Sequence, residues 1–112
     1  MNMDANLCKA LADPTRLRLV AEMRGGERAV SELVACVEIA QSGVSRHLRI
    51  LHQAGIVTMR ADGQRRLYSL QPDAFQAIDQ WLDAYRALWE HRLDRLGAEL
   101  ARRKKTPTGE TQ

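Results

Sequence analysis

The sequence predicts a mainly α fold with one small β-hairpin, on three observations. Apolar residues recur at spacings of three and four through most of the chain. The stretch with strand composition, from Ile56 to Leu70, is divided by the turn pair Asp62-Gly63. A single helical pattern then runs from about Pro72 to Arg103. At 112 residues one compact unit is expected, large enough to bury a core yet small enough that pairing with a second copy would add materially to stability.

The first helix is expected over residues 4–12, with Leu7, Ala10 and Leu11 on one stripe. Asp13-Pro14 ends it and opens the second, because aspartate caps free amides and proline suits the first helical position. The second helix, Pro14 to Arg24, is expected to bury Leu17, Val20 and Ala21, with Leu19 and Met23 as further candidates, and to leave Arg16, Arg18 and Glu22 outside; Gly25-Gly26 ends it. Ser31-Glu32-Leu33-Val34 reads as the capped start of a short third helix. A fourth follows from Ala40 to Gln53, with Val44, Leu48 and Leu51 inward and Gln41, Ser42, Ser45, Arg46 and Arg49 outward. Ala40 is a poor N-cap, so Gln41 or Ser42 is expected to supply the capping. Gly43 inside this helix costs about 1 kcal/mol against alanine, which calls for a close neighbour such as a phosphate or for support from packing.

Two short helices joined by a tight turn, the second polar outside, match a helix-turn-helix; a hairpin directly after it, with Arg60, Gln64, Arg65 and Arg66 near its tip, matches the wing of a winged helix-turn-helix. The plain alternatives are a solvated surface helix and a hairpin whose charges protect an edge. The long last helix carries Ile78, Trp81, Leu82, Tyr85, Leu88, Trp89, Leu93, Leu96 and Leu100 on a stripe too wide for a small domain to cover, and a helix from a second copy is the simplest cover. One domain is thus expected over 1–101, followed by a disordered basic and polar tail over 102–112.

The formal charge is only +3, but its placement is informative. Between Gln41 and Arg66 stand Arg46, Arg49, Arg60, Arg65 and Arg66 against one acid, Asp62, a local basic face that suits a polyanion. No apolar run approaches the roughly 18 residues needed to span a bilayer, and the start lacks the pattern of a leader, so a cytoplasmic protein without membrane contact is expected. Cys8 and Cys36 are too few for a disulfide framework, lack C-x-x-C spacing and are expected to be buried small hydrophobes. No nucleophile stands in sequence beside His47, His52 or His91, and there is no phosphate-cradling glycine loop or carboxylate pair, which argues against an enzyme. His47 falls on the packing side of its helix and reads as structural, and Arg16 as a brace of helix ends or a backbone contact.

The chain resembles the ArsR/SmtB family of bacterial winged-helix repressors. The likeness is carried by Ala10-Leu11-Ala12-Asp13-Pro14-Thr15-Arg16-Leu17, Ser45-Arg46-His47-Leu48-Arg49-Ile50-Leu51, Ala54-Gly55-Ile56-Val57 and Arg66-Leu67-Tyr68-Ser69-Leu70, in the family's order. Trp81-Leu82, Tyr85 and Trp89 are similar to a non-metal, SdpR-like branch. The resemblance implies a homodimer built on the first and last helices, with Leu7, Leu11, Ile78, Trp81, Leu82, Tyr85, Trp89, Leu93 and Leu96 at its interface. It further implies an imperfectly palindromic double-stranded operator and repression of transcription. Gln41, Ser42, Ser45 and Arg46 would read base edges, arginine suiting guanine and glutamine adenine, while Arg49, Arg60, Arg65 and Arg66 would mainly hold phosphates or enter the flanking minor groove, with Gln64 beside them at the wing tip.

The family's thiolate metal site falls on Ala29 and Ser31 and is absent; its zinc pattern on the last helix retains Asp79 but has Trp81 in place of a histidine. No metal and no cofactor are expected, and no small-molecule effector is identified. A thiol response through Cys8 and Cys36, a metal response through His91 and Asp94, and a winged-helix module that binds protein instead of DNA stay open as alternatives.

Overall fold

Two aspartates set the first two helices of the computed structural model, which describes residues 1–104. The Asp4 carboxylate accepts from the Leu7 N–H at 2.9 Å to open α1 (Ala5–Leu11). The Asp13 carboxylate accepts from the Arg16 N–H at 3.0 Å to open α2 (Pro14–Glu22), with Pro14 in the first turn. Each bond satisfies an amide that the helix itself leaves free.

The buried side of α2 departs from the expected stripe. Leu19 and Met23 are fully buried and Val20 partly so, whereas Leu17 is half-exposed and Ala21 exposed. Leu19 and Met23, four residues apart, share one face and join Leu7, Ala10 and Leu48 in the core, so packing selects this face over the one carrying Leu17 and Ala21.

A two-residue strand that the sequence does not announce, β1 (Arg28–Ala29), leads into α3 (Val30–Ala35). Ala29 has no side-chain acceptor to cap α3; the Glu32 carboxylate instead accepts from the Ala29 N–H at 2.8 Å. Ser31, the expected cap, lies inside the helix. α4 (Gln41–Gln53) begins after Ala40 without a side-chain capping bond, so neither Gln41 nor Ser42 fills that role. A Cβ on Gly43 would stand 3.1 Å from Ile39 Cδ1, so the close neighbour the glycine admits is a side chain of the preceding turn.

The exit from α4 is a Schellman turn. Gly55, at φ +78°, donates to His52 O at 3.0 Å, and the Ile56 N–H donates to Leu51 O at 3.0 Å. Buried Ile56 then starts the run into β2 (Val57–Asp62), which pairs with β3 (Arg65–Leu70). Asp62 lies opposite Arg65, leaving a two-residue loop whose first member, Gly63, has the positive φ of +63° that a type II′ turn requires. The sheet is antiparallel in the order β1-β3-β2, with Ala29 opposite Leu67 and Leu67 opposite Arg60.

α5 (Pro72–Lys104) starts against the core through buried Ala74 and Ala77, with Phe75 and Ile78 partly covered. The chain divides into two compact units, Met1–Ile78 and the helical residues that follow. Every side chain from Asp79 to Arg103 is exposed. Within this second unit Arg86 pairs with Asp79 and Asp83, and the Trp81 and Tyr85 rings lie 5.2 Å apart. Arg102 and Arg103, expected in a disordered tail, are helical, and Arg102 pairs with Glu99 at 2.8 Å because an acid stands one turn earlier. Residues 105–112 of that tail lie outside the described residues. Among the described residues no helix is long and apolar enough to cross a membrane.

Candidate nucleic-acid interface

α4 presents one polar face because its other face is anchored. Val44, Leu48 and Leu51 are fully buried. Gln41, Ser42, Arg46 and Arg49 are exposed and Ser45 is half-buried. The Schellman turn then fixes the direction in which the chain leaves the helix, and with it the wing.

The pleat sorts the wing's cations onto two faces. Arg66 shares the face of Tyr68 and Leu70, which pack on the core, whereas Arg65 falls on the alternate face with Leu67. Arg66 and Gln64 accordingly line, together with Gln41, Ser45 and Val30, a depression of about 300 Å³ between helix and hairpin. Four of the nine expected DNA-contacting residues thus converge on one concavity lined by amides, a hydroxyl and a guanidinium. Ser42, Arg46 and Arg49 lie outside its lining on exposed α4.

Arg60 stands apart from this group. It points to Glu27, with Nε donating to Oε2 and NH2 to Oε1, both at 2.8 Å, in a bidentate pair. Those bonds, and behind them the charges of Arg60 and Arg65, hold the Glu27 carboxyl below its ordinary value, while Glu27 pushes Arg60 further up. The count of five arginines against one acid therefore omits an acid that the fold brings in. Thirty-three residues separate the partners, and no local spacing could have revealed them.

His47 and Arg16 form a brace beneath the polar face. Arg16 Nε donates to Ala10 O at 2.6 Å and NH2 to Lys9 O at 3.4 Å, while NH1 lies 3.2 Å from His47 Nδ1. His47 Nδ1 is also 4.0 Å from Asp13. Arg16, expected as a brace of helix ends, thus reaches across to tie the end of α1 to α4. The Asp13 carboxyl sits below its ordinary value, chiefly because the Arg16 backbone N–H donates to it, with the Arg16 and His47 charges acting in the same direction.

The expected interface residues divide by burial. Leu7, expected at the dimer contact, is 1% exposed within the single chain and belongs to its core. Leu11 and Ile78 are partly covered by that core. Trp81, Leu82, Tyr85, Leu88, Trp89, Leu93, Leu96 and Leu100 are all exposed.

The two thiols differ, and neither is fully buried as expected. Cys8 is exposed, whereas Cys36 donates to Glu22 Oε1 and to Glu32 O, both at 3.3 Å, and the Glu22 bond pushes its pKa up. Ala29, at a position where the resemblance would place a metal-binding thiolate, is buried. Among the described residues no group of three or more His, Cys, Asp or Glu could hold a metal ion.

With this geometry in view, the family profile described as "Bacterial regulatory protein, arsR family" matches residues 13–59, from the α2 cap through α4 into β2. The chain is 43% identical over 77 residues to the arsenic resistance transcriptional regulator ArsR1 of Pseudomonas putida, covering 68% of this chain and 57% of that protein. It is 31% identical over 77 residues to the transcriptional repressor SdpR of Bacillus subtilis, covering 69% of this chain and 86% of the relative. The chain therefore spans little more than half of the first protein and most of the second. A crystal structure of an ArsR family transcriptional regulator superposes with a TM-score of 0.69 at 29% identity, covering 76% of this chain and 93% of that one.

Proposed function

Since this chain belongs to the ArsR family of bacterial regulatory proteins, we propose that it is a DNA-binding transcriptional repressor, acting in the cytoplasm as a homodimer on an operator with two related half-sites. Members of the family are transcriptional regulators and not enzymes. The observation that carries the reading is the joint concavity of α4 and the wing, where Gln41, Ser45, Gln64 and Arg66 converge. A helix held by Val44, Leu48 and Leu51 can lie in a major groove while the hairpin reaches the neighbouring backbone.

In this reading Gln41, Ser42, Ser45 and Arg46 meet base edges. Arg49, Arg65 and Arg66 meet phosphates and supply affinity without discrimination. Gln64 donates to the backbone from the wing tip, and Arg60 contributes least because Glu27 already holds it. The exposed apolar residues from Trp81 to Leu100 support pairing with a second copy, since an identical stripe offers the matching surface. Leu11 and Ile78 border that contact.

Footprinting on the chain's own upstream region, followed by anisotropy titrations on the protected duplex, tests the reading. Arg46→Ala should lose about 1 to 3 kcal/mol at one operator position and relax preference there, whereas Arg65→Ala should weaken all duplexes alike and flatten the salt dependence. Equal losses from both variants on specific and random duplex would overturn the assignment. Sedimentation of a monomer under the same conditions would overturn the paired state.

A further inference from the structure

Glu27 occupies the wing's second face in a way that DNA binding alone does not explain. By register, Arg60, Leu67 and Ala29 follow one another across the sheet, and Glu27 precedes β1 by one residue. Its carboxylate grips the Arg60 guanidinium with two parallel bonds of 2.8 Å and lies within the field of Arg65. A bidentate carboxylate satisfies a guanidinium by the same two-pronged geometry that a phosphate uses. An arginine so engaged has its charge neutralised and two of its five donors occupied, so it attracts a second anion less strongly than an unpaired one.

We propose that Glu27 limits the wing's electrostatic grip on DNA: by holding Arg60 as a DNA phosphate would, it withholds one cation per wing from the duplex and lowers the sequence-independent part of the affinity. The inference rests on the DNA-binding reading above. Base reading by the residues of α4 is untouched, so the carboxylate subtracts from the non-specific part of binding and leaves the difference between operator and random sequence to the recognition helix. The pair is exposed, with more than half of the Arg60 side chain in solvent, so its removal should leave the fold intact.

The test compares the full chain, Glu27→Gln, Arg60→Ala and the double variant by anisotropy on a labelled random-sequence duplex and on the footprinted duplex, between about 50 and 200 mM KCl. One additional phosphate contact per protomer steepens the dependence of log K on log salt by about 0.9, or about 1.8 for the pair, which at ~0.15 M salt amounts to about fivefold in affinity per contact and about thirtyfold for the pair. Glu27→Gln should show that gain and that steeper slope on random duplex. Arg60→Ala should change little by itself, and the double variant should behave like Arg60→Ala. The salt slope distinguishes this role from a strap that merely stiffens the sheet, which would alter stability without adding a phosphate contact. The proposal is overturned if Arg60→Ala alone weakens binding as much as Arg65→Ala. It is equally overturned if the Glu27→Gln gain survives in the double variant, where only net charge would explain it, or if Glu27→Gln binds as the parent does. A parent chain that binds no duplex even at low salt refutes the DNA-binding reading itself, and this inference with it.

Discussion

Arg16→Ala should destabilise the N-terminal unit by about 2 kcal/mol without removing any apolar core atom. The guanidinium donates to Ala10 O at 2.6 Å, lies 3.2 Å from His47 Nδ1 and reaches Lys9 O only at 3.4 Å. Ala10 is nearly buried, so its carbonyl at the end of α1 would be left with poor access to water. A charged donor to such a carbonyl contributes about 1 to 1.5 kcal/mol net and the bond to the half-buried imidazole about 0.5 to 1, while the longest contact adds little. For a unit of this size the total corresponds to a fall in Tm of roughly 10 °C. Urea unfolding at one fixed protein concentration, with the parent and Arg16→Lys beside it, measures this directly. Lysine should recover at most one bond and fall between the other two. An Arg16→Ala variant within about 0.5 kcal/mol of the parent, with an unchanged m value, would refute the bracing role.

Leu48→Ala removes a fully buried side chain that seats α4 and should lose about 2 to 5 kcal/mol by thermal or urea unfolding, with DNA binding weakened in parallel. The Asp13 and Glu27 carboxyls both titrate below their ordinary values of 3.8 and 4.5. Their contribution is therefore complete above those values and disappears as pH falls through the lower folded ones; stability should decline on the acid side of about pH 4, and Asp13→Asn should flatten that limb. Because the Glu22 carboxylate accepts from the Cys36 thiol and raises its pKa, iodoacetamide at neutral pH should label Cys8 well before Cys36, and Glu22→Gln should speed the second reaction. Equal labelling rates in the parent would contradict the hydrogen bond.

What the sequence made legible was local. Asp13-Pro14 announced a helix boundary, Val44, Leu48 and Leu51 announced the buried stripe of α4, and Asp62-Gly63 announced the hairpin, because each is a short-range pattern with its own backbone chemistry. β1 stayed hidden since two residues, Arg28 and Ala29, carry no periodicity and become a strand only by pairing with Tyr68 and Leu67. The helical face of α2 was misplaced because five apolar residues within seven positions admit more than one stripe, and only packing selected Leu19 and Met23 over Leu17 and Ala21. At the candidate site, the polarity of Gln41, Ser45, Gln64 and Arg66 was readable, but their convergence depends on the Gly55 turn and the strand register. The neutralisation of Arg60 by Glu27 and the reach of Arg16 to His47 are tertiary facts, set by which side chains the folded elements bring opposite one another.

A helix whose side chains from Asp79 to Arg103 all face solvent derives its order from whatever covers it, and in the proposed pair that cover is another molecule. Dilution then becomes a form of denaturation: its melting temperature should climb with each tenfold rise in protein concentration, and trace amounts should lose helicity that concentrated samples retain. In a cell, such coupling makes the number of copies a threshold variable, so that repression would fade more steeply than in proportion as the repressor's abundance drops.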